Sequence, residues 1–471
     1  MNARIPVEVV EQSLYEDRKK VYPRAVSGWF ARWRWSLVLL TQAIFYGLAW
    51  VEWNGRQAVL FDLAARKFYL FGLVLWPQDV VYLAVLLIVS ALSLFLFTAI
   101  AGRLWCGYAC PQTVYTEIFL WIERRIEGDR AARMKLDASP RSARKVALKS
   151  AKHASWIVLS IWTGFTFVGY FTPVRDLVHS AATVSFGPWE LFWVGFYSLA
   201  TYGNAGWLRE QVCKYMCPYA RFQSAMFDQD TLVVTYDAAR GDPRGGRGRK
   251  ADPRALGLGD CVDCSLCVQV CPTGIDIRDG LQYECIGCTS CIDACNQVMD
   301  KMGYPRGLIR YSTENAIANG WDWARMLRRV LRPRVLVYGS VLCAIVVAGA
   351  ASMWMRVPVK MDIMRDRASL AREAEGGRIE NVYRIVLMNT QERERAVLLG
   401  ARGARGEPLE VLAESQPIAL APLTTRVLTV RVRAEDAGRR GSQPVEFVLE
   451  SRDDATTFSI REKSRFLFPS R

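Results

Sequence analysis

The segment from Cys261 to Asn296 reads CVDCSLCVQVCPTGIDIRDGLQYECIGCTSCIDACN, which is the pattern Cys-x2-Cys-x2-Cys-x3-Cys written twice. Three closely spaced thiolates bind one side of a cubane iron–sulfur cluster, and in two-cluster ferredoxins the fourth cysteine of each run ligates the other cluster. The spacing therefore predicts two [4Fe-4S] clusters, one held by Cys261, Cys264, Cys267 and Cys295 and the other by Cys285, Cys288, Cys291 and Cys271.

Zinc is the alternative metal for a cysteine-rich segment. Zinc ribbons, however, use pairs of cysteines separated by a longer loop, whereas this segment carries triplets. One irregularity is Asn296, which stands where the first run has Pro272. This difference changes the local turn and removes no ligand.

Two further cysteine pairs share a second motif. Cys106 and Cys110, and then Cys213 and Cys217, both read Cys-x-Tyr-x-Cys-Pro directly after an apolar stretch, which indicates an internal repeat. An i, i+4 spacing predicts two sulfurs on one face of a helical turn, within reach of a shared soft metal. The alternative is that these are small buried thiols packed at helix ends. The shared Tyr and Pro favour metal or redox use at all four cysteines.

Composition limits the other functions of this chain. Its 471 residues are 51% hydrophobic and carry a formal charge of +15, so an ordered protein of several units is expected. Two histidines, His153 and His179, exclude a site built from several imidazoles, and the absence of Cys-x-x-Cys-His excludes covalent c-type haem. The basic cluster Gly241–Pro253 favours a mobile linker near anionic lipid over a nucleic-acid site.

Five apolar stretches are long enough to cross a membrane. They lie near 36–51, 80–101, 155–171, 189–207 and 335–355, the last with Cys343 at mid-span as a packing residue. Residues 1–34 carry seven Lys and Arg and residues 102–154 carry eleven, against three in 52–79. The positive-inside rule then predicts a cytoplasmic N-terminus and, after five spans, an external C-terminus.

The last 116 residues, 356–471, alternate apolar and polar side chains in short runs. Runs such as Ile379–Leu387 and Thr425–Val432 are separated by turn residues, which is typical of an antiparallel β-sandwich. This segment contains no cysteine, and that composition suits an oxidising compartment.

With these features together, the chain resembles the cytochrome c oxidase accessory proteins of the CcoG/FixG/RdxA type. The resemblance covers nearly the whole length. It rests on WNGRQAVLFDLAARKFYLFGLVLWPQD from Trp53, GRLWCGYACPQTVYTE from Gly102, the second Cys-Pro motif, the double ferredoxin module, and MDIMRDRASLAREAEGGRIENVYRIVLMN from Met361.

The resemblance implies a multi-domain protein of the bacterial inner membrane. Five transmembrane helices would form an α-helical bundle, with an inserted α+β two-cluster ferredoxin module and a C-terminal, all-β immunoglobulin-like sandwich. The expected divisions are a cytoplasmic segment 1–34, four transmembrane helices as two repeats in 35–207, a cytoplasmic segment 208–334 with the ferredoxin module at 255–305, a fifth helix at 335–355 and a periplasmic domain at 356–471.

The resemblance also implies reduction of Cu(II) to Cu(I) for assembly of a cbb-type oxidase. In that hypothesis Cys106, Cys110, Cys213 and Cys217 are the catalytic and copper-binding residues, because thiolates favour Cu(I). No Rossmann glycine fingerprint is present, so an unidentified partner must donate the electrons. Membrane lipid, a copper chaperone or oxidase assembly factors, and a second copy of the chain are the other expected partners. Two alternatives stay open, a quinol-linked electron conduit and a copper chaperone or scaffold without enzymatic activity.

Overall fold

The computed structural model describes residues 20–249, 251–253, 255–366, 371–436, 438–451 and 458–469. The chain divides into two compact units that interleave along the sequence. The first unit contains the described parts of 1–48, 90–168 and 179–342, and the second those of 49–89, 169–178 and 343–471. Of the predicted N-terminal segment 1–34, residues 1–19 lie outside the described part.

Helices dominate the first unit. In the part of the chain that the structure describes, the α-helices are α1 Trp29–Leu48, α2 Val80–Ala101, α3 Leu104–Tyr108, α4 Pro111–Glu127, α5 Arg130–Ala138, α6 Ala143–Val168, α7 Val174–Ala182, α8 Pro188–Thr201, α9 Pro218–Ala225, α10 Ala238–Gly241, α11 Leu266–Gln269, α12 Ser290–Met302, α13 Glu314–Asn319, α14 Trp323–Val330 and α15 Pro333–Trp354. Two π-helical segments, Tyr202–Leu208 and Val212–Met216, lie between α8 and α9.

Two of the described helices are long and apolar enough to cross a membrane. They are Pro77–Ala101, which begins with a short 3-10 turn before α2, and Pro333–Trp354. The other three predicted spans coincide with α1, α6 and the α8 region. These segments are helical but do not combine the length and apolar composition of the first two helices. The five-span bundle therefore stays a prediction.

A small aromatic core holds α4 against α6. The rings of Phe119 and Trp156 stack with their centroids 5.2 Å apart, and the indole N–H of Trp156 donates to the carbonyl oxygen of Phe119 at 3.1 Å. On its other side α6 approaches α8 closely at Gly164, where an added Cβ would lie 2.6 Å from the carbonyl oxygen of Val194. Small residues allow helix backbones to come this close.

The cysteine-rich segment is enclosed by a two-stranded antiparallel sheet. Strand β6, Val233–Tyr236, pairs with β7, Ile309–Ser312, so the sheet lies on both sides of the predicted module range 255–305. Apolar residues of the sheet, of α12 and of the neighbouring loops form one buried cluster with Cys261 and Cys267, namely Val234, Tyr236, Ile277, Ile292, Val298, Met299, Leu308 and Ile309.

The basic segment after β6 contacts the module. Arg240 forms an ion pair with Asp260 at 2.6 Å, and Arg247 donates to the carbonyl oxygens of Gly259 at 2.7 Å and Cys261 at 3.2 Å. These arginines therefore hold the loop that precedes the first cysteine. The predicted linker Gly241–Pro253 thus contacts the module through Arg247, because guanidinium groups bind backbone carbonyls, and its mobility stays a prediction.

The second unit contains short strands and a larger antiparallel sheet. The short strands are β1 Glu52–Trp53, β2 Arg56–Gln57, β3 Val59–Asp62, β4 Lys67–Leu70 and β5 Leu73–Leu75. The larger sheet contains β8 Val359–Arg365, β9 Arg372–Ala374, β10 Arg378–Asn389, β11 Arg395–Arg402, β12 Pro408–Leu412, β13 Ile418–Leu420, β14 Thr425–Glu435, β15 Gly441–Ser451 and β16 Ser459–Phe468.

Strand alternation explains the core of this sheet. The strand order is β16-β15-β11-β12-β14-β10-β8, with β13 on β11 and β9 on β10. Along β14 every second side chain from Leu428 to Ala434 is buried, as the period of two in a strand requires. At the centre the rings of Tyr383 and Phe447 meet edge to face at 4.9 Å. The C-terminal β domain that the sequence predicts is therefore present.

Candidate metal centres

Two adjacent cavities in the first unit are lined by the eight cysteines of the ferredoxin-like segment. The first cysteine cavity is lined by Cys261, Cys264, Cys267 and Cys295. The second cysteine cavity is lined by Cys271, Cys285, Cys288 and Cys291, and Cys267 borders it as well. Each cavity thus combines three cysteines of one run with the fourth cysteine of the other, which is the crossed arrangement that two-cluster ferredoxins use.

The loops that carry these cysteines repeat the same backbone conformation. Asp263 and Ser265 in the first run have φ of 52° and 55°, and the equivalent Gly287 and Thr289 in the second run have φ of 68° and 61°. Left-handed residues at these places bend the loop sharply around each cavity. The four thiols lining each cavity and this duplicated turn fit a cubane cluster.

The structure explains why Asn296 stands where the first run has a proline. Helix α11 ends at Gln269, before Cys271 and Pro272, whereas α12 continues through Asn296 to Met302. A proline inside α12 would remove a helical hydrogen bond and clash with the preceding turn. Asn296 instead accepts a hydrogen bond from the backbone N–H of Gly307 at 3.0 Å through its side chain.

Burial disfavours the ionised form of these thiols when no cation is near. It raises the pKa of Cys267 to about 11 and the pKa of both Cys285 and Cys295 to about 12. Burial likewise raises the pKa of Cys288 and Cys291. A cysteine that ligates a metal does so as thiolate, so a bound cationic centre must supply the compensating charge here.

The two Cys-x3-Cys-Pro motifs adopt matching folds. Cys106 lies in the short helix α3 and Cys213 in the π-helical segment Val212–Met216, while Cys110 and Cys217 are extended residues that precede Pro111 and Pro218. Each proline occupies the first turn of the next helix, where its missing N–H costs nothing. The prediction of one continuous helical turn was therefore wrong, because the chain leaves the helix between the two cysteines.

The four cysteines of these motifs lie in one neighbourhood, which we call the four-thiol group. The thiol of Cys213 interacts electrostatically with Cys110, Cys106 and Cys217. Burial, followed by this interaction, raises the pKa of Cys213 to about 12, and burial raises that of Cys106 to about 11. Among the residues that the structure describes, no three His, Cys, Asp or Glu side chains are close enough to hold a single metal ion.

A buried glutamine positions the thiol of Cys106. The sulfur of Cys106 donates to Oε1 of Gln223 at 3.5 Å. The amide nitrogen of the fully buried Gln223 is 3.3 Å from the carbonyl oxygen of Gly102 and 3.3 Å from the hydroxyl of Tyr219. Gln223 belongs to α9, which follows the second motif, so it joins the two repeats at the four-thiol group.

The four-thiol group adjoins the second cysteine cavity. Between the two cysteines of the first motif, Tyr108 shares a hydrogen bond of 2.6 Å between its hydroxyl and that of Thr289. Arg103, three residues before Cys106, donates to the carbonyl oxygen of Cys285 at 3.3 Å. A second arginine, Arg34 of α1, donates to the carbonyl oxygen of Cys288 at 2.9 Å.

Sequence reasoning missed Arg34, Arg103 and Gln223. Their partners lie more than 100 residues away in the chain, so no local pattern links them. For the two arginines the available signal was a charge at the end of an apolar stretch, which was interpreted only as a topology marker, whereas Gln223 gave no such signal.

Three family models match the chain. A 4Fe-4S binding domain matches residues 83–128, a 4Fe-4S dicluster domain matches 208–314, and a model described as an Ig-like fold at the C-terminus of FixG matches 349–469. The predicted iron–sulfur module and immunoglobulin-like domain are thereby confirmed at the level of the fold.

Curated relatives match over most of the chain. The nitrogen fixation protein FixG of Rhizobium meliloti is 40% identical over 437 residues, which cover 86% of this chain and 83% of that protein. The chain belongs to the FixG/RdxA family. RdxA of Cereibacter sphaeroides is 37% identical, covering 93% of this chain and 98% of RdxA, and RdxB of the same organism is 40% identical, covering 81% and 82%. The resemblance inferred from the motifs is confirmed, and the chain is an iron–sulfur electron-transfer protein of this type.

Proposed function

We propose that this chain reduces Cu(II) to Cu(I) for assembly of a cbb-type cytochrome c oxidase, at the expense of electrons held on iron–sulfur clusters. The observation that supports the proposal best is the contact between the four-thiol group and the second cysteine cavity through Tyr108 and Arg103. A site that favours Cu(I) and a store of single electrons are then neighbours. Each Cu(II) takes one electron, and an external donor replaces it.

In this proposal the ligands of the two [4Fe-4S] clusters are the cysteines of the two cavities. Cys261, Cys264, Cys267 and Cys295 hold one cluster, and Cys285, Cys288, Cys291 and Cys271 hold the other. The clusters supply reversible one-electron storage when bound. The chain's own residues bury the thiolates and separate the two centres from solvent, with Cys264 as the exposed ligand on the side open to a soluble donor.

In this proposal Cu(II) binds at the four-thiol group, whose thiols would have to move closer together to share one ion. Thiolates are soft ligands and stabilise Cu(I) more than Cu(II), so binding raises the copper potential and favours the reduction. Cys106, Cys110, Cys213 and Cys217 are partly buried, and a Cu(I) product is shielded there from reoxidation. Cu(I) then passes to a copper chaperone or an oxidase assembly factor.

The membrane arrangement supports delivery at the cytoplasmic face. We propose five spans, with α1, α6 and α8 joining the two apolar helices. Large apolar side chains are exposed on the outer faces of α6 and α8, for example Val158 at 68% and Leu199 at 70%. Contiguous exposed apolar surface of this kind needs lipid or a partner to cover it. The ferredoxin module is then cytoplasmic and the immunoglobulin-like domain periplasmic, and a homodimer is compatible with these faces.

A second candidate is a plain electron conduit with a third iron–sulfur cluster at the four-thiol group. The observation in its favour is the 4Fe-4S binding domain that matches 83–128, because this range contains only two cysteines, Cys106 and Cys110. Four thiols, two from each repeat, would be needed to complete such a cluster.

Metal counts and product analysis separate the two candidates. Copper reduction predicts about eight iron atoms per chain after anaerobic purification, from two cubanes. It also predicts one Cu(I), captured by a colorimetric chelator, for each electron lost by the reduced protein when Cu(II) is added. About twelve iron atoms per chain, with four of them lost in Cys110→Ser/Cys217→Ser, would assign the group to a third cluster. Reduced clusters that stay reduced in the presence of Cu(II) would refute the proposed activity.

A further inference from the structure

Arg103 lies where three functional segments meet. It precedes α3 and the first Cys-Pro motif, and its side chain is almost completely buried. Its guanidinium donates to the carbonyl oxygens of Tyr283 and Cys285, in the loop of the second cysteine cavity, and to that of Ala220 at 2.7 Å, in the helix that follows the second motif. One side chain thus connects both motifs with the second cavity.

The charge of Arg103 has no carboxylate partner in the described part of the chain. Its hydrogen bonds go to neutral carbonyl groups, and no Asp or Glu of the described residues lies within ion-pair distance of it. A buried unpaired cation is strongly unfavourable unless a negative group lies nearby. The groups within electrostatic reach include sulfurs on both sides, those of Cys285, Cys106 and Cys213, together with the hydroxyls of Tyr219 and Tyr283.

Two other arginines near the cavities are paired with carboxylates. At the first cysteine cavity Arg278 forms ion pairs with Asp276 at 2.6 Å and Asp263 at 2.5 Å. At the second cavity Arg34 is 3.6 Å from Glu117. Of these three arginines, Arg103 is therefore the one whose positive charge is not compensated by a carboxylate among the described residues.

We propose that Arg103 is a positioning residue that raises the reduction potential of the cluster in the second cysteine cavity and so directs electrons toward the four-thiol group. Reduction adds negative charge to a cluster, and a buried cation stabilises that reduced form. This inference rests on the proposed assignment of Cys271, Cys285, Cys288 and Cys291 as the ligands of that cluster.

The test is a redox titration of the full-length protein followed by electron paramagnetic resonance. Arg103→Gln removes the charge and Arg103→Lys keeps it. Arg306→Gln is a matched control, because Arg306 is an exposed arginine in the loop before β7 that is paired with Asp300. We expect Arg103→Gln to lower the potential of one cluster and leave the other unchanged. Arg103→Lys should restore most of that shift, and Arg306→Gln should move neither potential.

The cluster that shifts should be the one whose signal is lost in Cys288→Ser, with iron content measured for every variant. Full iron content and unchanged potentials in Arg103→Gln would overturn the inference. Loss of iron in both Arg103 variants would also overturn it, since charge retention in Arg103→Lys would then not matter. If Cys288→Ser keeps both clusters, the ligand assignment fails instead, and the iron count distinguishes that result from the others.

Discussion

Single residues decide how closely the four-thiol group approaches the second cysteine cavity. Gly107 lies between Cys106 and Cys110, and a Cβ added there would lie 2.7 Å from the carbonyl oxygen of Gly287 and 2.9 Å from the Cα of Cys288. Because both contacts are to backbone atoms, the cavity loop itself would have to move. Only glycine fits at this contact.

Gly107→Ala is therefore expected to destabilise the protein by about 1–3 kcal/mol, the usual cost of overpacking a filled site. The measurement is the temperature at which cluster absorbance is lost under anaerobic conditions. Gly195→Ala in α8 is the matched control, since a Cβ at that position meets no atom within 4 Å. Equal melting temperatures for the two variants would contradict the close contact.

The raised pKa values of the thiols predict the pH dependence of copper binding. With a pKa of about 11 at Cys106 and about 12 at Cys213, both groups are protonated between pH 6 and pH 8 in the metal-free state. Each thiol that binds Cu(I) must release its proton, so affinity should rise roughly tenfold per pH unit for each ligating thiol. Competition with a Cu(I) chelator at several pH values measures this slope. An affinity independent of pH would contradict thiolate ligation.

At the scale of elements, the eight cysteines line two cavities in the two groups that their spacing predicted, because the local run and the crossed fourth cysteine are properties of the motif. Their role as cluster ligands stays a prediction. Spacing gave a wrong prediction of the backbone at the Cys-x3-Cys-Pro motifs. Pro111 and Pro218 begin new helices, and the cysteines before them are extended. Each proline favours the first turn of a new helix, and this local preference decides the backbone here in place of the i, i+4 periodicity.

A buried carboxylate holds the helices of the first unit together. Glu123 of α4 is 3.1 Å from Arg133 of α5, 3.5 Å from Lys152 of α6 and 3.0 Å from Arg209. Although burial opposes ionisation, Arg209, Lys152 and Arg133 hold the pKa of Glu123 below its ordinary value. These contacts connect four separate segments of the chain, which is why no sequence pattern predicted them.

Glu123→Gln should destabilise the first unit by about 3–5 kcal/mol, because it leaves buried cations without their counter-charge. Asp300→Asn is the control, since the Asp300–Arg306 pair is exposed and surface pairs contribute little. Thermal unfolding of the two variants, with protease sensitivity as a second readout, checks the difference. A Glu123→Gln protein as stable as Asp300→Asn would show that the buried network is dispensable.

At the scale of the whole molecule, the distribution of basic residues predicts the membrane topology of the chain. Lys and Arg are concentrated in 1–34 and 102–154. We therefore expect alkaline phosphatase fused after residue 450 to be active and the same enzyme fused after residue 250 to be inactive. The positive-inside rule gives this direction. An active fusion at residue 250 would place the ferredoxin module outside and contradict the proposed topology.

The sequence predicted the family, the ferredoxin-like segment and the C-terminal β domain from long motifs and strand alternation. It did not predict which segments of the chain form each unit. Residues 49–89 and 169–178 join the C-terminal segment in one unit, although they lie far from it in the chain. Ion pairs such as Asp79 with Arg356 at 2.5 Å form within that unit. Such contacts depend on tertiary structure and leave no periodic pattern.

The most direct test of the central claim is the rate at which Cu(II) oxidises the reduced clusters. Stopped-flow mixing under anaerobic conditions would compare the native protein, Cys110→Ser/Cys217→Ser, and Cys343→Ser, whose exposed cysteine lies on α15 outside the four-thiol group. Serine oxygen is a much harder ligand than thiolate. We expect the double variant to keep its cluster spectrum and lose most of its Cu(II)-dependent oxidation rate, while Cys343→Ser behaves like the native protein. Unchanged kinetics in the double variant would contradict a role for these thiols in copper reduction.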